Sequence, residues 1–153
     1  MNIKTLFYIF FIFALFHKCL IADEINIKSS NMTVIDEGNI ITGLNTKANI
    51  PNKKIEIEGD KSIYNKNKKQ LTIIGNVKFI DSLKNVYLEG KKIIYNQITD
   101  LVQTFDETYI KVEDKYHVYS KDLFYDRIKQ IIYTDKETII KDNKENVFNL
   151  EED

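Results

Sequence analysis

Very little in this sequence can tie a fold together covalently or assemble a reactive centre. It holds one cysteine, one proline, two histidines, five glycines and no tryptophan in 153 residues. The cysteine, Cys19, lies in the N-terminal apolar segment, so no disulfide framework is available. Of the histidines, His17 closes that same segment and His117 stands alone, which leaves no His/Cys metal cluster and no Ser-His-Asp or Cys-His nucleophilic arrangement. No glycine-rich loop ends in Gly-Lys-Ser/Thr, so nucleotide hydrolysis has no phosphate cradle. No basic stripe is present either: acids and lysines interleave, which argues against nucleic acid as a partner. The chain reads as a non-enzyme without cofactor or metal. Asp60, Asp81, Asp100, Asp106 and Asp126 occupy turn-like contexts in which aspartate caps and solvates.

What is present points to strands. Alanine is scarce, whereas Ile, Val, Tyr, Phe and Thr recur, and hydrophobic residues make up 43% of the chain. The N-terminus is a separate object. Lys4 precedes an apolar run from Leu6 to Phe16, which His17 and Lys18 close before Cys19-Leu20-Ile21-Ala22. This core is too short for a membrane span of about 20 residues, and it reads as a signal peptide, residues 1–22, with Ala22 as the cleavage position. An uncleaved anchor reaching Ala22 is the alternative. His17 and Lys18 replace the small residues that lipoprotein processing at Cys19 would need. Residues 1–22 hold two lysines and no acid, so cleavage takes the formal net charge from −1 to −3.

Residues 23–153 form one domain built on a repeat of about thirty residues. Ile57-Glu58-Gly59-Asp60-Lys61-Ser62-Ile63-Tyr64-Asn65 returns as Leu88-Glu89-Gly90-Lys91-Lys92-Ile93-Ile94-Tyr95-Asn96, and again as Val118-Tyr119-Ser120-Lys121-Asp122-Leu123-Phe124-Tyr125-Asp126. Each copy continues through a polar turn into further apolar segments. The alternation has period two rather than 3.6, so each copy sends one aliphatic row to one sheet face. That inward row reads as Ile55, Ile57, Ile63, Leu71, Ile73, Val77 and Phe79 in the first clear copy. In the second it is Val86, Leu88, Ile94, Val102, Ile110 and Val112, and in the third Val118, Phe124, Ile132 and Ile140. Gly59, Gly75 and Gly90 separate strand segments where a bulge or corner is expected. A single unit cannot bury its face alone and requires stacking on neighbours, which leaves strand edges at the two ends.

The units of the form Ile63-Tyr64-Asn65, polar turn, Leu71-Thr72-Ile73-Ile74-Gly75-Asn76-Val77, placed after a signal peptide, resemble the periplasmic bridge proteins of lipopolysaccharide transport, also known for the organic-solvent-tolerance-A-like domain. They look most like the N-terminal periplasmic domain of the outer-membrane lipopolysaccharide-assembly protein. The Gly-Asn-Val element is intact only at residues 75–77; the later copies carry Phe105-Asp106-Glu107 and Asp135-Lys136-Glu137. The resemblance covers residues 24–150. It implies an open V-shaped β-jellyroll of stacked antiparallel strands in the periplasm, associated with the outer membrane, whose apolar groove takes lipid A acyl chains. It also implies union with other bridge domains through edge strands. That aliphatic row then lines the groove; Lys53, Lys54, Lys61, Lys91 and Lys92 read first as solvated strand lysines and, in the alternative, as contacts to lipid phosphates at the rim. On the residues alone, a closed dry core in a structural β-repeat scaffold with edge-strand oligomerisation is the other reading. The sequence stops at Glu151-Glu152-Asp153, just after the opening strand of another repeat, and so reads either as a truncated piece or as a free-standing bridge subunit.

Overall fold

The computed structural model describes residues 24–151, and the expected signal peptide lies outside them. The described residues carry twelve strands: β1 (Asn26–Lys28), β2 (Asn31–Ile35), β3 (Ile40–Ile50), β4 (Ile55–Asn65), β5 (Gln70–Asp81), β6 (Val86–Asn96), β7 (Leu101–Val112), β8 (Tyr116–Lys121), β9 (Phe124–Asp126), β10 (Ile131–Tyr133), β11 (Thr138–Asp142) and β12 (Val147–Leu150). All pair antiparallel in one sheet whose main path is β1-β3-β4-β5-β6-β7-β8-β11-β12. The segments expected as separate strands on either side of Gly75 and of Asp106 are single twelve-residue strands, β5 and β7, that run through a corner.

That corner folds the sheet on itself. Pairing register slips between Glu58 and Lys61, between Ile74 and Val77, and between Gly90 and Lys92, so the breaks fall side by side across neighbouring strands. Alternate strands place a left-handed residue there: Asn45 in β3 (φ 48), Asn76 in β5 (φ 46) and Asp106 in β7 (φ 64). Asparagine and aspartate tolerate this region better than other side chains. On one side of the corner lie the tail of β4, the head of β5, the tail of β6 and the head of β7, extended by β2, β9 and β10. On the other side lie the complementary halves of those strands with β1, β8, β11 and β12. The two half-sheets face each other as a V, and Phe79 of one meets Tyr125 of the other edge to face at 6.4 Å.

The corner also changes which residues point inward. In β4, Ile55 and Ile57 are buried on one side of the break, and Ser62 and Tyr64 on the other. In β6 the change runs from Val86 and Leu88 to Ile93 and Tyr95. Three members of the expected inward row are therefore corrected. Ile63 is 42% exposed on the outer face, Ile94 is half-buried there, and Phe124 lies outside, stacked on Tyr133 at 5.1 Å. Their neighbours Ser62, Ile93, Leu123 and Tyr125 take the interior positions. A period-two reading carried straight through a bulge inverts the faces beyond it.

The glycines at equivalent repeat positions do not carry equal constraint. A Cβ on Gly59 would stand 2.4 Å from Ile73 Cγ2 and 2.9 Å from the Gly75 carbonyl oxygen, whereas one on Gly90 would meet nothing closer than 3.6 Å. Gly59→Ala is expected to cost about 1–3 kcal/mol through overpacking. Gly90→Ala should stay within about 0.5 kcal/mol of the parent. Equilibrium denaturation of the two variants checks this, and equal losses would contradict it.

Candidate functional site

The space between the half-sheets has three layers with different chemistry. Deepest, along the corner, is a row of buried hydroxyls: Thr46, Ser62, Thr104, Thr108, Ser120 and Thr138. Thr46 bonds Ser29 at 2.9 Å and Ser62 at 2.8 Å, Thr138 bonds Ser120 at 2.8 Å, and Thr104 accepts the Leu123 amide at 2.8 Å. Hydroxyls satisfy the polar demands of a backbone that bends away from its ladder. The middle layer is aliphatic and aromatic. Of the expected row, Ile55, Ile57, Leu71, Ile73, Val77, Phe79, Leu88, Val102 and Ile110 are at most 1% exposed. They pack with Ile50, Ile93 and Tyr95, which the sequence reading did not place inside. Val86 and Val118 are buried near its margins, and Val112, Ile132 and Ile140 are partly buried against it.

The third layer lies across the mouth of the V, where the free ends of the half-sheets meet, and it is charged. Arg127, the single arginine of the chain, has a side chain only 3% exposed. Its Nε donates to Asp81 Oδ2 at 2.7 Å and its Nη1 to Asp100 Oδ2 at 2.6 Å, and Nη2 reaches the Lys53 carbonyl at 3.3 Å. Asp81, fully buried, also accepts the Tyr125 hydroxyl at 3.1 Å and the amides of Leu83 and Lys84. Lys53 Nζ donates to Asp100 Oδ1 at 3.2 Å, and the Tyr95 hydroxyl donates to the same oxygen at 2.7 Å. Lys53 and Asp81 belong to one half-sheet; Tyr95, Asp100, Tyr125 and Arg127 belong to the other. Two cations thus neutralise two carboxylates across the mouth, with the oxygens met by directional donors, the condition under which buried charge is tolerated.

Each ionisation state follows from these contacts. Burial pushes Asp100 up, but the Tyr95 hydroxyl, the Arg127 guanidinium and the Lys53 ammonium outweigh it and hold the carboxyl below its ordinary value. Burial, reinforced by the neighbouring Asp81 charge, raises the Tyr125 hydroxyl well above its usual range and keeps it a neutral donor. For Arg127 the desolvation is overcome by Asp81 and Asp100, which hold it charged. Asp81 and Asp100, expected in solvated turns, and Lys53, expected as a solvated or rim lysine, are drawn by the tertiary structure into this cluster. A lone arginine directly after the Leu123-Phe124-Tyr125-Asp126 unit is the one signal in the sequence. Lys54, Lys61 and Lys91 are exposed, and Lys92 lies over the Phe105 ring at 4.3 Å. His117 is half-buried on the outer face, hydrogen-bonded to the Tyr109 hydroxyl at 2.8 Å.

Beyond this cluster, toward the C-terminal end, the V stays open. One half-sheet stops at the short β10, while the other continues through β8, β11 and β12. A cleft of about 660 Å³ lies between them, lined by Val118, Leu123, Ile132, Tyr133, Thr138 and Ile140 and reaching Leu150. Among the described residues β12 pairs only with β11, and its Val147, Phe148 and Leu150 are each more than half exposed. Among the described residues no group of three or more His, Cys, Asp or Glu side chains is placed to hold a metal ion, and no helix is long and apolar enough to cross a membrane.

Residues 19–101, more than half the chain, match the family described as LptA/(LptD N-terminal domain) LPS transport protein. The chain belongs to this family. Membership makes it a protein of lipopolysaccharide transport, in a family that moves lipid rather than one that catalyses a reaction. Among solved structures it resembles the crystal structure of LptH, the LptA-homologous periplasmic component of the conserved lipopolysaccharide transport device from Pseudomonas aeruginosa. Identity is 12% and the TM-score 0.66, over 86% of this chain and 96% of that one. That likeness shows the fold: the folded sheet is the architecture of this transport family. No curated protein matches the chain.

The buried charges make a distinctive stability prediction. Arg127→Met strands Asp81 without its cation and should cost about 3–5 kcal/mol, whereas Lys47→Met, which removes an exposed pair with Glu58, should leave the unfolding midpoint unchanged. Asp100 is held below its ordinary value, so its contribution is present above the unfolded-state value near 3.8 and is lost as pH falls through the folded-state value. The difference in melting temperature between the parent and Asp100→Asn should therefore be largest at neutral pH and shrink on acidification below about pH 4. A difference that grows toward acid would contradict the assignment.

Proposed function

We propose that this protein is a lipopolysaccharide-binding module of a periplasmic bridge that carries the lipid toward the outer membrane, taking acyl chains into the apolar interior of the V. The observation that carries this reading is the cleft at the C-terminal end. Its walls continue the apolar core, and its volume falls within the roughly 300–1,000 Å³ of ligand-binding sites. Each acyl methylene moved from water onto such walls gains about 0.8 kcal/mol, so one chain that seats even half its length is held by several kcal/mol. The row of residues from Ile55 to Ile110 forms the packed floor against which the cleft is built, and Val118, Ile132 and Ile140 stand at its wall. Neighbouring bridge domains join through the edges of the sheet: β12 offers an unpaired edge with apolar side chains, the arrangement that accepts another strand.

A second reading draws on the packing of the centre. With side chains there at most 1% exposed, a dry scaffold that oligomerises through its edges needs no lipid. A photo-crosslinking phenylalanine analogue separates the two. Installed at Ile132 or Ile140 it should capture lipopolysaccharide, and at the outward Lys47 it should not. Capture at neither cleft position, together with end-to-end oligomers in native mass spectrometry that do not respond to lipid, would establish the scaffold and overturn the lipid-binding reading.

A further inference from the structure

The charged layer across the mouth has a consequence for the route of the lipid. The apolar centre between β4 and β7 is walled by strands on three sides, and its fourth side, the mouth, is closed by Lys53, Asp81, Asp100 and Arg127. These four side chains connect the turn between β3 and β4 and the end of β5 with the turns after β6 and β9. We propose that this cluster is a latch: it shuts the central part of the groove, so that acyl chains reach the interior at the C-terminal cleft and pass to the centre only when the latch parts. The inference rests on the lipid-binding reading above.

Three observations support it. Three of the contacts, Lys53 Nζ to Asp100, Arg127 Nε to Asp81 and Arg127 Nη2 to the Lys53 carbonyl, run between the free ends of the half-sheets and so set the width of the mouth, while the bond from Arg127 Nη1 to Asp100 braces one of those ends. The side chains immediately behind them, Phe79, Tyr95 and Tyr125, are at most 2% exposed, so no acyl chain fits there while the mouth is closed. The two ends of the latch differ in accessibility. Asp81 and Arg127 are sealed, at 0% and 3%, whereas Lys53 and Asp100 retain 17% and 15% exposure. The Lys53–Asp100 pair is the outermost member, reached first by water, and it is where parting would begin.

The test uses the full chain with purified lipopolysaccharide and p-azidophenylalanine at Ile132, in the cleft, or at Phe79, in the centre. With the parent latch, Ile132 should crosslink lipid and Phe79 should give background. In Asp100→Asn, and to a smaller extent in Lys53→Met, the Phe79 crosslink should rise several-fold while the Ile132 crosslink stays constant. Equal capture at Phe79 in parent and variants would overturn the latch and leave the lipid-binding reading standing. Capture at neither position would overturn lipid binding. Spin labels at Ser82 and Lys66, on turns at the free ends of opposite half-sheets, test the latch without lipid. The distance between them should lengthen and broaden in Asp100→Asn, and an unchanged distribution in both variants would overturn the latch.

Discussion

The ion pair between Asp81 and Arg127 sets the terms for the rest of the molecule. A carboxylate with no exposed surface and a guanidinium with almost none are stable only if they meet each other and their remaining bonding capacity is filled. Asp81 ends β5 in one half-sheet and Arg127 follows β9 in the other, so the bond forms only when the sheet has folded at its corner through the correct angle. A sheet folded too little would leave both charges dry and unpaired; one folded too far would crush Phe79 against Tyr125. The pair therefore works as a gauge of the opening of the V, and Asp100 and Lys53 extend it toward solvent.

The corner supplies the other half of this arrangement. A sheet of long antiparallel strands twists but does not fold without local breaks in its ladders. Here the breaks line up: a glycine in β4 and β6, and a left-handed asparagine or aspartate in β3, β5 and β7. The hydroxyl row inside the bend takes up the polar groups that the broken ladders release. A polar spine, an apolar middle and a charged seam follow one another from corner to mouth, and past the seam, where one half-sheet has run out of strands, apolar wall is left uncovered.

Under the proposed function, this layering lets one fold both hold itself together and carry a lipid. A groove left open along its whole length would have no packed core, and a fully packed one would have no room for cargo. The chain divides the tasks along its axis, with a tightly packed centre that carries stability and an asymmetric end that offers apolar surface. The overhanging half-sheet and the exposed residues of β12 lie next to that surface.

Much of this was legible in the residues. The all-β class, the thirty-residue repeat, the corner at Gly59, Gly75 and Gly90 and the family resemblance all follow from period-two alternation and recurrent motifs, because those features are local. Most of the aliphatic row was placed inside correctly for the same reason. Ile63, Ile94 and Phe124 were not, since the inversion of faces at a bulge depends on how many residues the partner strand contributes, which alternation within one strand does not encode. The charged seam was out of reach altogether. Lys53, Asp81, Asp100 and Arg127 span 74 residues between the first and the last, each looks like an ordinary turn residue by itself, and only the folding of the sheet at its corner brings them within hydrogen-bonding distance.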